Sequence, residues 1–548
     1  MQKFCVLNNN AYLYTLKVIA MIQRHVYGWL KAIGLCFLFC YVALPGYSRQ
    51  QLVIPESELQ GKKGQELFDI IRKWHSDAYR TGAELIYPEK MVLEIGIPSD
   101  ARSIPLSPYT DFNGCRLIID NDAINNFILF TMSSKKAEKM VKVDCNMINS
   151  GDYTSLPQLN TGLKLMRIKD KNAWTHRAPE EGDYDIFRQD VILIRDGKAL
   201  NMPTTGYDEE SSDPECRYLD VDDEQKVICN LIIERSNKST ERTRLFQISL
   251  QNNILVKNMK IVTPFVPQDS DNKLYREDYC FRVMNSANVF FEDVMVRGTY
   301  STAKTWGYAV NLENVYNSHF LRFDAEGHWG VFGNNNANTV TLTDCRINRF
   351  DLHCYGRDVA CTGCVFDNKI DDSHPNQVYC QTNVLNAFGS MFGTLRYEDC
   401  YFVKSRPVYL RPYYKAYTGF DIVFQDCEFD IHPNYPYFIT TGLLDEADNP
   451  RKELKDKCWP NVTMQDCLVN VPDRVRDLYL FYALRNSKTV SRIDNLSSLD
   501  LQNVDINNPS FSLSSFKVSN VEVKLTNRLK AKTKRTSFRL KTDMLRKR

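Results

Sequence analysis

The chain has no surplus of either charge. Its 69 Lys and Arg residues nearly cancel 67 Asp and Glu, for a net charge of +2. That balance supplies no global field for nucleic acid or a strongly acidic partner. Long apolar runs are also missing. The one candidate, AIGLCFLFCYVALPG at 32–46, is too short for a comfortable membrane span, so a stable membrane-spanning protein is not expected. No pair of CxxC motifs has zinc-finger spacing; Cys361 and Cys364 form a lone C-T-G-C, a weak metal or redox signal. No fixed-period repeat carries apolar residues every 3.6 positions, which excludes helical solenoids. Histidine is scarce, eight in 548 residues, so any local gathering of it draws the eye.

What is present is an ordinary folded composition, 43% apolar and 25% charged. The 29 Tyr, 29 Phe and short β-branched runs lean towards strands. Arg24, His25 and Lys31 precede the apolar run, and GYS at 46–48 offers small residues before a cut after Ser48. This is the grammar of a secretory signal peptide over 1–48, with a start at Met21 or an uncleaved anchor as alternatives. The mature chain is then expected to be secreted, periplasmic or at the cell surface. Three of 17 cysteines (Cys5, Cys36, Cys40) fall in or before the signal, leaving fourteen.

From residue 254 one short pattern recurs: an apolar residue, one residue, Asp/Asn/Gly/Ser, a small or apolar residue, one residue, an apolar residue. It reads VKNMKI (256–261), FEDVMV (291–296), YNSHFL (316–321), LTDCRI (342–347) and CTGCVF (361–366). It continues as YEDCYF (397–402), FQDCEF (424–429) and MQDCLV (464–469), with weaker copies LQNVDI (501–506) and VSNVEV (518–523). Copies lie 17 to 40 residues apart. Short strands at variable spacing with Asn and Asp at corners predict an all-β chain, a right-handed parallel β-helix whose insertions become loops. Cys345, Cys364, Cys400, Cys427 and Cys467 share one inward slot, and read as a stacked core ladder, with disulfides as the alternative.

The segment GQELFDIIRKWHSDAYRTG (64–82) places Leu67, Ile70, Ile71, Trp74 and Ala78 at helical spacing. A capping helix and the run-in to the first coil are expected over 49–110. The β-helix is expected over 111–525, with long loops or a small insertion at 150–245, and a basic tail over 526–548.

Two stretches repeat a charged strand: Arg322, Phe323, Asp324 and Arg349, Phe350, Asp351, offset by 27 residues. If that offset is one coil, Arg322 stacks on Arg349, Asp324 on Asp351 and Glu326 on His353, about 4.8 Å apart. His328 and Trp329 follow, and His319 is close by. Such a face is either a ladder of surface ion pairs or an acid/base site whose cations hold an anion. Carboxylates beside His353 favour its protonated form. Downstream, Arg411, Tyr413, Tyr414 and Tyr417 suit a sugar surface, where rings pack on sugar faces and Arg takes a carboxylate. Asp371, Asp372 and His374 sit on a loop, read as a polar turn.

These residues carry a resemblance. The helix followed by GAELIYPEK is similar to the opening of the pectate-lyase-like right-handed β-helix superfamily. More narrowly, WTHRAPEEGDYDIFRQDVILI (174–194), WGVFGNNNANTVTLTDCRINRFDLH (329–353) and LRPYYKAYTGFDIVFQDCEF (410–429) resemble a family of secreted and phage-associated β-helix proteins. The similarity spans most of 110–430. An Arg-Phe-Asp-x-His strand and a later Leu-Arg-x-x-Tyr segment fall on Arg349, Asp351, His353, Arg411 and Tyr414. The Asp-x-His pair also resembles part of the Asp-Pro-His-Glu motif of mannuronan epimerases, with Leu352 and Cys354 in place of Pro and Glu. Polygalacturonase motifs find only Asp371-Asp372 and EGHWG, in the wrong order.

Three functions follow as expectations. In the first, the protein acts on an acidic polysaccharide by β-elimination or C5 epimerisation. His353 or Tyr414 is the base, Asp351 orients His353, and Arg349 and Arg411 hold the carboxylate. Arg322, Asp324, Glu326, His328, Trp329 and Tyr413 line the substrate. In the second, a glycoside hydrolase uses two of Asp324, Glu326 and Asp351. In the third, the β-helix binds glycan without catalysis. Ca2+ is the cofactor the acidic residues would suit, in the manner of calcium-dependent pectate lyases.

Overall fold

A computed structural model describes residues 49–121, 127–177, 184–236, 243–262, 279–297, 308–326, 330–348, 350–367, 385–388, 390–403, 407–411, 420–433, 436–441, 458–475, 478–483, 495–496, 499–507, 516–519 and 539–540. The expected signal (1–48), the Asp371–His374 loop and most of the basic tail lie outside them. Among the described residues no helix is long and apolar enough to cross a membrane.

The chain winds into a right-handed parallel β-helix. Each coil has three sides, here called sheets I, II and III in chain order. The strand Tyr279–Arg297 runs along all three, pairing in parallel with Asn252–Val262 before it and Tyr308–Leu321 after it. It turns where the backbone takes the left-handed conformation: Asn285, Asn288 and Asp293, at φ 46°, 53° and 55°. Asn and Asp tolerate that region because a short polar side chain bonds locally. The corners stack. Asn314 donates to Asn285 (2.8 Å) and Asn336 to Asn314 (3.0 Å); on another corner Asn258 donates to Asn230 (3.0 Å). Each amide thus satisfies the next rung's amide, which keeps the corners in line.

The recurring hexapeptide is the corner between sheets II and III. Its left-handed residues are Asn258, Asp293, Arg322, Asp344, Gly363, Asp399, Asp426, Asp466 and Asn503. YNSHFL does not belong there. Its Asn317 stacks on Asn288 at the corner between sheets I and II, and the true corner of that coil is Arg322. VSNVEV falls largely outside the described residues. Gly363 holds its corner at φ +65°, where a Cβ would stand 2.5 Å from Asp344 Oδ1 and force that side chain to shift.

Behind each corner the inward slot holds Cys345, Cys364, Cys400, Cys427 and Cys467, all buried and free. Each thiol donates to the carbonyl two residues back, at 3.2–3.4 Å. The core is otherwise aromatic: Phe366, Phe402 and Phe429 stack at 4.9 and 4.8 Å between centroids.

The helix Gly64–Thr81 buries Leu67, Phe68, Ile71, His75 and Ala78 against the first coils. It stops at Gly82, in the left-handed conformation that ends helices. Between coils, a five-stranded antiparallel sheet is inserted, in the order Lys198–Ala199, Tyr184–Arg195, Leu163–Arg177, Pro214–Asp220, Lys139–Val141. This unit begins before residue 150, and Lys226–Arg235 and Thr243–Ser249 already belong to the β-helix. One face of the insertion covers its own helix Cys145–Ser150. The other sets Leu165, Val191, Leu193 and Leu219 on Ala287 of the β-helix.

Candidate functional site

The two Arg-Phe-Asp stretches lie on different sides of the coil. Arg322 is a corner residue, and Asp324 opens sheet III, in register with Arg346. Asp351 is on sheet I, in register with Gly333. The proposed stacking of Asp324 on Asp351 and Glu326 on His353 is therefore wrong, and the 27-residue offset is not one coil. The coil from Arg322 to Asp344 is shorter, and the next, to Gly363, shorter again.

The charges at the first stretch are structural. The Arg322 guanidinium forks onto Asp293, at 2.6 and 2.9 Å, and reaches Glu292 at 3.0 Å. This holds the Asp293 carboxyl below its usual range. Arg297 takes Asp324 in the same way, with 3.0 and 2.5 Å contacts. Both are between-rung pairs at partial exposure, each contributing about 0–1 kcal/mol. Asp324 is thus occupied on one sheet while Asp351 stands on another, so neither a shared Ca2+ site nor a hydrolase carboxylate pair forms from them. Among the described residues no group of three His, Cys, Asp or Glu side chains gathers as for a metal.

His319, the third histidine of that region, lies on sheet II. Its ring stacks on Phe290 at 5.0 Å and bonds Asn317 at 2.7 Å, and burial lowers its pKa. It packs as part of the wall.

Sheet I carries the second stretch. Phe350 and Leu352 are buried, and Asp351 and His353 hold the alternate positions of the strand Phe350–Thr362. Two register columns run through them. One joins Arg282, Asn311, Gly333, Asp351, Asn386 and Tyr409; the other joins Met284, Glu313, Asn335 and His353. Arg411 lies on the same sheet, paired with Phe388. Glu326 ends a strand on sheet III, in register with Arg297. Arg349, His328, Trp329, Tyr413 and Tyr414 lie outside the described residues.

Sequence reasoning missed Arg282, Asn311 and Glu313. Arg282 grips Glu313 through two parallel bonds, 3.0 and 2.9 Å, and the Asn311 amide also donates to Glu313. Asn311 is almost wholly buried although it sits on the sheet's outer side, between core residues Val310 and Leu312. Aligning each coil on its first corner Asn would have found the column. Arg282-x-Met284-Asn285, Asn311-x-Glu313-Asn314 and Gly333-x-Asn335-Asn336 share one frame.

The insertion closes on this corner. Thr204 Oγ1 donates to Asn336 Oδ1 at 2.8 Å, Asn338 donates to the Met202 carbonyl at 3.0 Å, and Arg357 donates to the Thr204 carbonyl at 3.1 Å. Asn336 also donates to the Gln189 carbonyl. Thr204 is held in turn by Asp190, which accepts from the Thr204 amide (2.7 Å) and the Tyr207 hydroxyl (2.9 Å). Burial pushes Asp190 up to about 6 against those bonds and the nearby Arg188. The result is a polar, charge-bearing sheet with a fixed wall along one corner, a surface that can take a long hydrogen-bonding ligand lying across the rungs.

No family model matches the chain, and no curated protein matches it. Among solved structures it is similar to the tailspike protein gp49 from Pseudomonas phage LKA1, with 11% identity and a TM-score of 0.48 over 81% of this chain and 73% of that one. It is also similar to the Gp54 tailspike of Acinetobacter baumannii bacteriophage AP22, solved in complex with A. baumannii capsular saccharide. That match has 9% identity and a TM-score of 0.44 over 86% of this chain and 74% of that one. Likeness at this level says nothing of the chemistry of the chain.

Proposed function

We propose that the protein binds an acidic polysaccharide along sheet I and acts on it by removing the proton next to a carboxylate, by β-elimination or C5 epimerisation. The supporting observation is the register: His353 and Asp351 fall in line with Glu313, Asn311 and Arg282, and Arg411 lies on the same sheet. His353 is the base and Asp351 orients it. Arg411, with Arg349 from a neighbouring segment, neutralises the substrate carboxylate as charge builds on the adjacent carbon, and Tyr414 is the alternative base. Glu313, fixed by Arg282 and Asn311, offers acceptors to sugar hydroxyls. Kinship with pectate-lyase-like proteins and action outside the cell belong to the same reading.

The hydrolase reading is weaker. Its best remaining carboxylates, Glu313 and Asp351, are two rungs and a strand step apart, roughly 10 Å or more along the sheet. Glu313 is moreover committed to Arg282 and Asn311. The test is incubation with a panel of uronate polysaccharides, following absorbance of unsaturated ends, reducing sugar, and C5 configuration by NMR. Unsaturation or inverted C5 centres, lost in His353→Ala and Arg411→Ala, is the expected result. Reducing ends alone, or binding without any product, would replace this reading with the hydrolase or the binding module.

A further inference from the structure

We propose that a cleft at the N-terminal end of sheet I holds one acidic sugar unit of the same polysaccharide, several units away from His353. This rests on the polysaccharide reading above and adds a second, distant anchoring point to it. The cleft encloses about 200 Å³ and lies where the first coils meet the root of the insertion. That is small beside the roughly 300–1,000 Å³ of drug-sized pockets, and suits a single ring.

Its lining has the two characters a sugar needs. Leu106, Pro108 and Met132 give an apolar floor for a ring face. Gln251 lines the same space and is nine-tenths buried, yet its side-chain amide has no partner among the described residues. The amide is open to the cleft, and an amide both donates and accepts, as a pair of sugar hydroxyls requires. The cations sort themselves. Lys226 is held by Asp222 and the Glu224 carbonyl, and Lys164 holds Asp220. Lys135 reaches the Tyr79 carbonyl at the end of the helix and lies over the Tyr79 ring. Lys136 alone of these four lysines makes no ion pair or side-chain hydrogen bond among the described residues. It is exposed at the rim, where it can meet a carboxylate.

The cleft is joined to the site by register. Ser133 lines it, and pairs with Ser249, which pairs with Met284. Met284 heads the column that runs through Glu313 and Asn335 to His353. Five rung steps separate Ser133 from His353, about 24 Å at the spacing of adjacent strands. A polysaccharide laid along this column would meet both ends, and the second contact would act as an intramolecular one.

The test is calorimetric binding of acidic oligosaccharides of graded length to the His353→Ala protein, which binds without turnover. Affinity should rise sharply once a chain can cover five rungs. Gln251→Leu and Lys136→Gln should each weaken the long oligosaccharides by about tenfold and leave the short ones unchanged. Lys136 is exposed, so that variant folds even if Gln251→Leu does not. If both variants melt like the parent and bind long chains equally well, the cleft is not a subsite while the polysaccharide reading stands. If the parent binds no acidic polysaccharide of any length, both readings fall together.

Discussion

Neutralising Asp190 should raise the stability of the protein above pH 6 and change its pH dependence in a definite direction. Asp190 is 1% exposed and titrates at about 6 instead of 3.8, because burial disfavours its charge more than its bonds to Thr204 and Tyr207 and the nearby Arg188 favour it. A carboxyl whose folded pKa is raised binds more protons folded than unfolded between those two values. Its contribution is therefore most favourable below pH 4 and is lost as pH rises to 6. The span is about 2 units, or about 3 kcal/mol. His75 slopes the other way. Its burial in the helix–coil contact lowers it to about 3, so it favours the folded state fully above pH 6.5 and loses that as pH falls. The parent's melting curve sums the two, and only a difference isolates Asp190. Asp190→Asn keeps the shape and an acceptor for the Thr204 amide. The difference in unfolding free energy, variant minus parent, should climb by a few kcal/mol from pH 4 to pH 6.5 and then stay level, read from urea titrations at each pH. A flat difference would refute the burial argument. A difference that fell with pH would mean that Arg188 and the hydrogen bonds outweigh desolvation.

Glu313→Gln should weaken acidic-polysaccharide binding or slow turnover by roughly tenfold, because Arg282 and Asn311 lose the carboxylate that fixes them; native-gel retardation with the polymer reads it. Gly363→Ala should destabilise by more than the roughly 1 kcal/mol that the left-handed backbone alone imposes, since Asp344 Oδ1 occupies the methyl position; its melting temperature reports this, with Gly206→Ala, which has a Cβ neighbour only at 3.6 Å, as the comparison. The ladder cysteines should resist a thiol reagent in the native protein and react only with unfolding, at the same denaturant midpoint as loss of the β signal, because all five are buried in the core and out of a reagent's reach. Asp324→Asn should leave any activity unchanged and lower stability by at most about 1 kcal/mol, whereas Asp351→Asn should abolish it.

The solenoid was legible because one of its three corners has a narrow chemical requirement. A left-handed residue followed by a small inward one selects Asp, Asn or Gly and then Cys or Val, as at Asp399–Cys400 and Asp426–Cys427. The same requirement explains the failure at 316–321. Asn317 satisfies it at a different corner, and the coil's own corner is filled by Arg322, a residue that does not announce a left-handed backbone. There the conformation is held by the fork onto Asp293 and by Arg322's amide donating to the Thr343 carbonyl at 2.9 Å. Missing that corner displaced the coil count. Two Arg-Phe-Asp triplets then looked stacked although Phe323 enters sheet III and Phe350 enters sheet I. The insertion was foreseeable as a break in the pattern but not in its bounds, because Lys226–Arg235 returns to the β-helix with an alternation that charged loops on either side obscure.

Charge is distributed differently on the three sheets. On the II–III corner and sheet III, Arg322, Arg297 and Arg346 each bind a carboxylate of a neighbouring rung, Asp293, Asp324 and Asp367. Stacked coils place like residues about 4.8 Å apart, and alternating Arg with Asp between rungs removes the repulsion that such stacking would bring. On sheet I the same rule appears at Arg282–Glu313. Beyond it the column continues through Asn335 to His353 and, alongside, through Gly333 to Asp351. In register, neutral amides and a glycine therefore stand between the ion pair and the positions of Asp351 and His353.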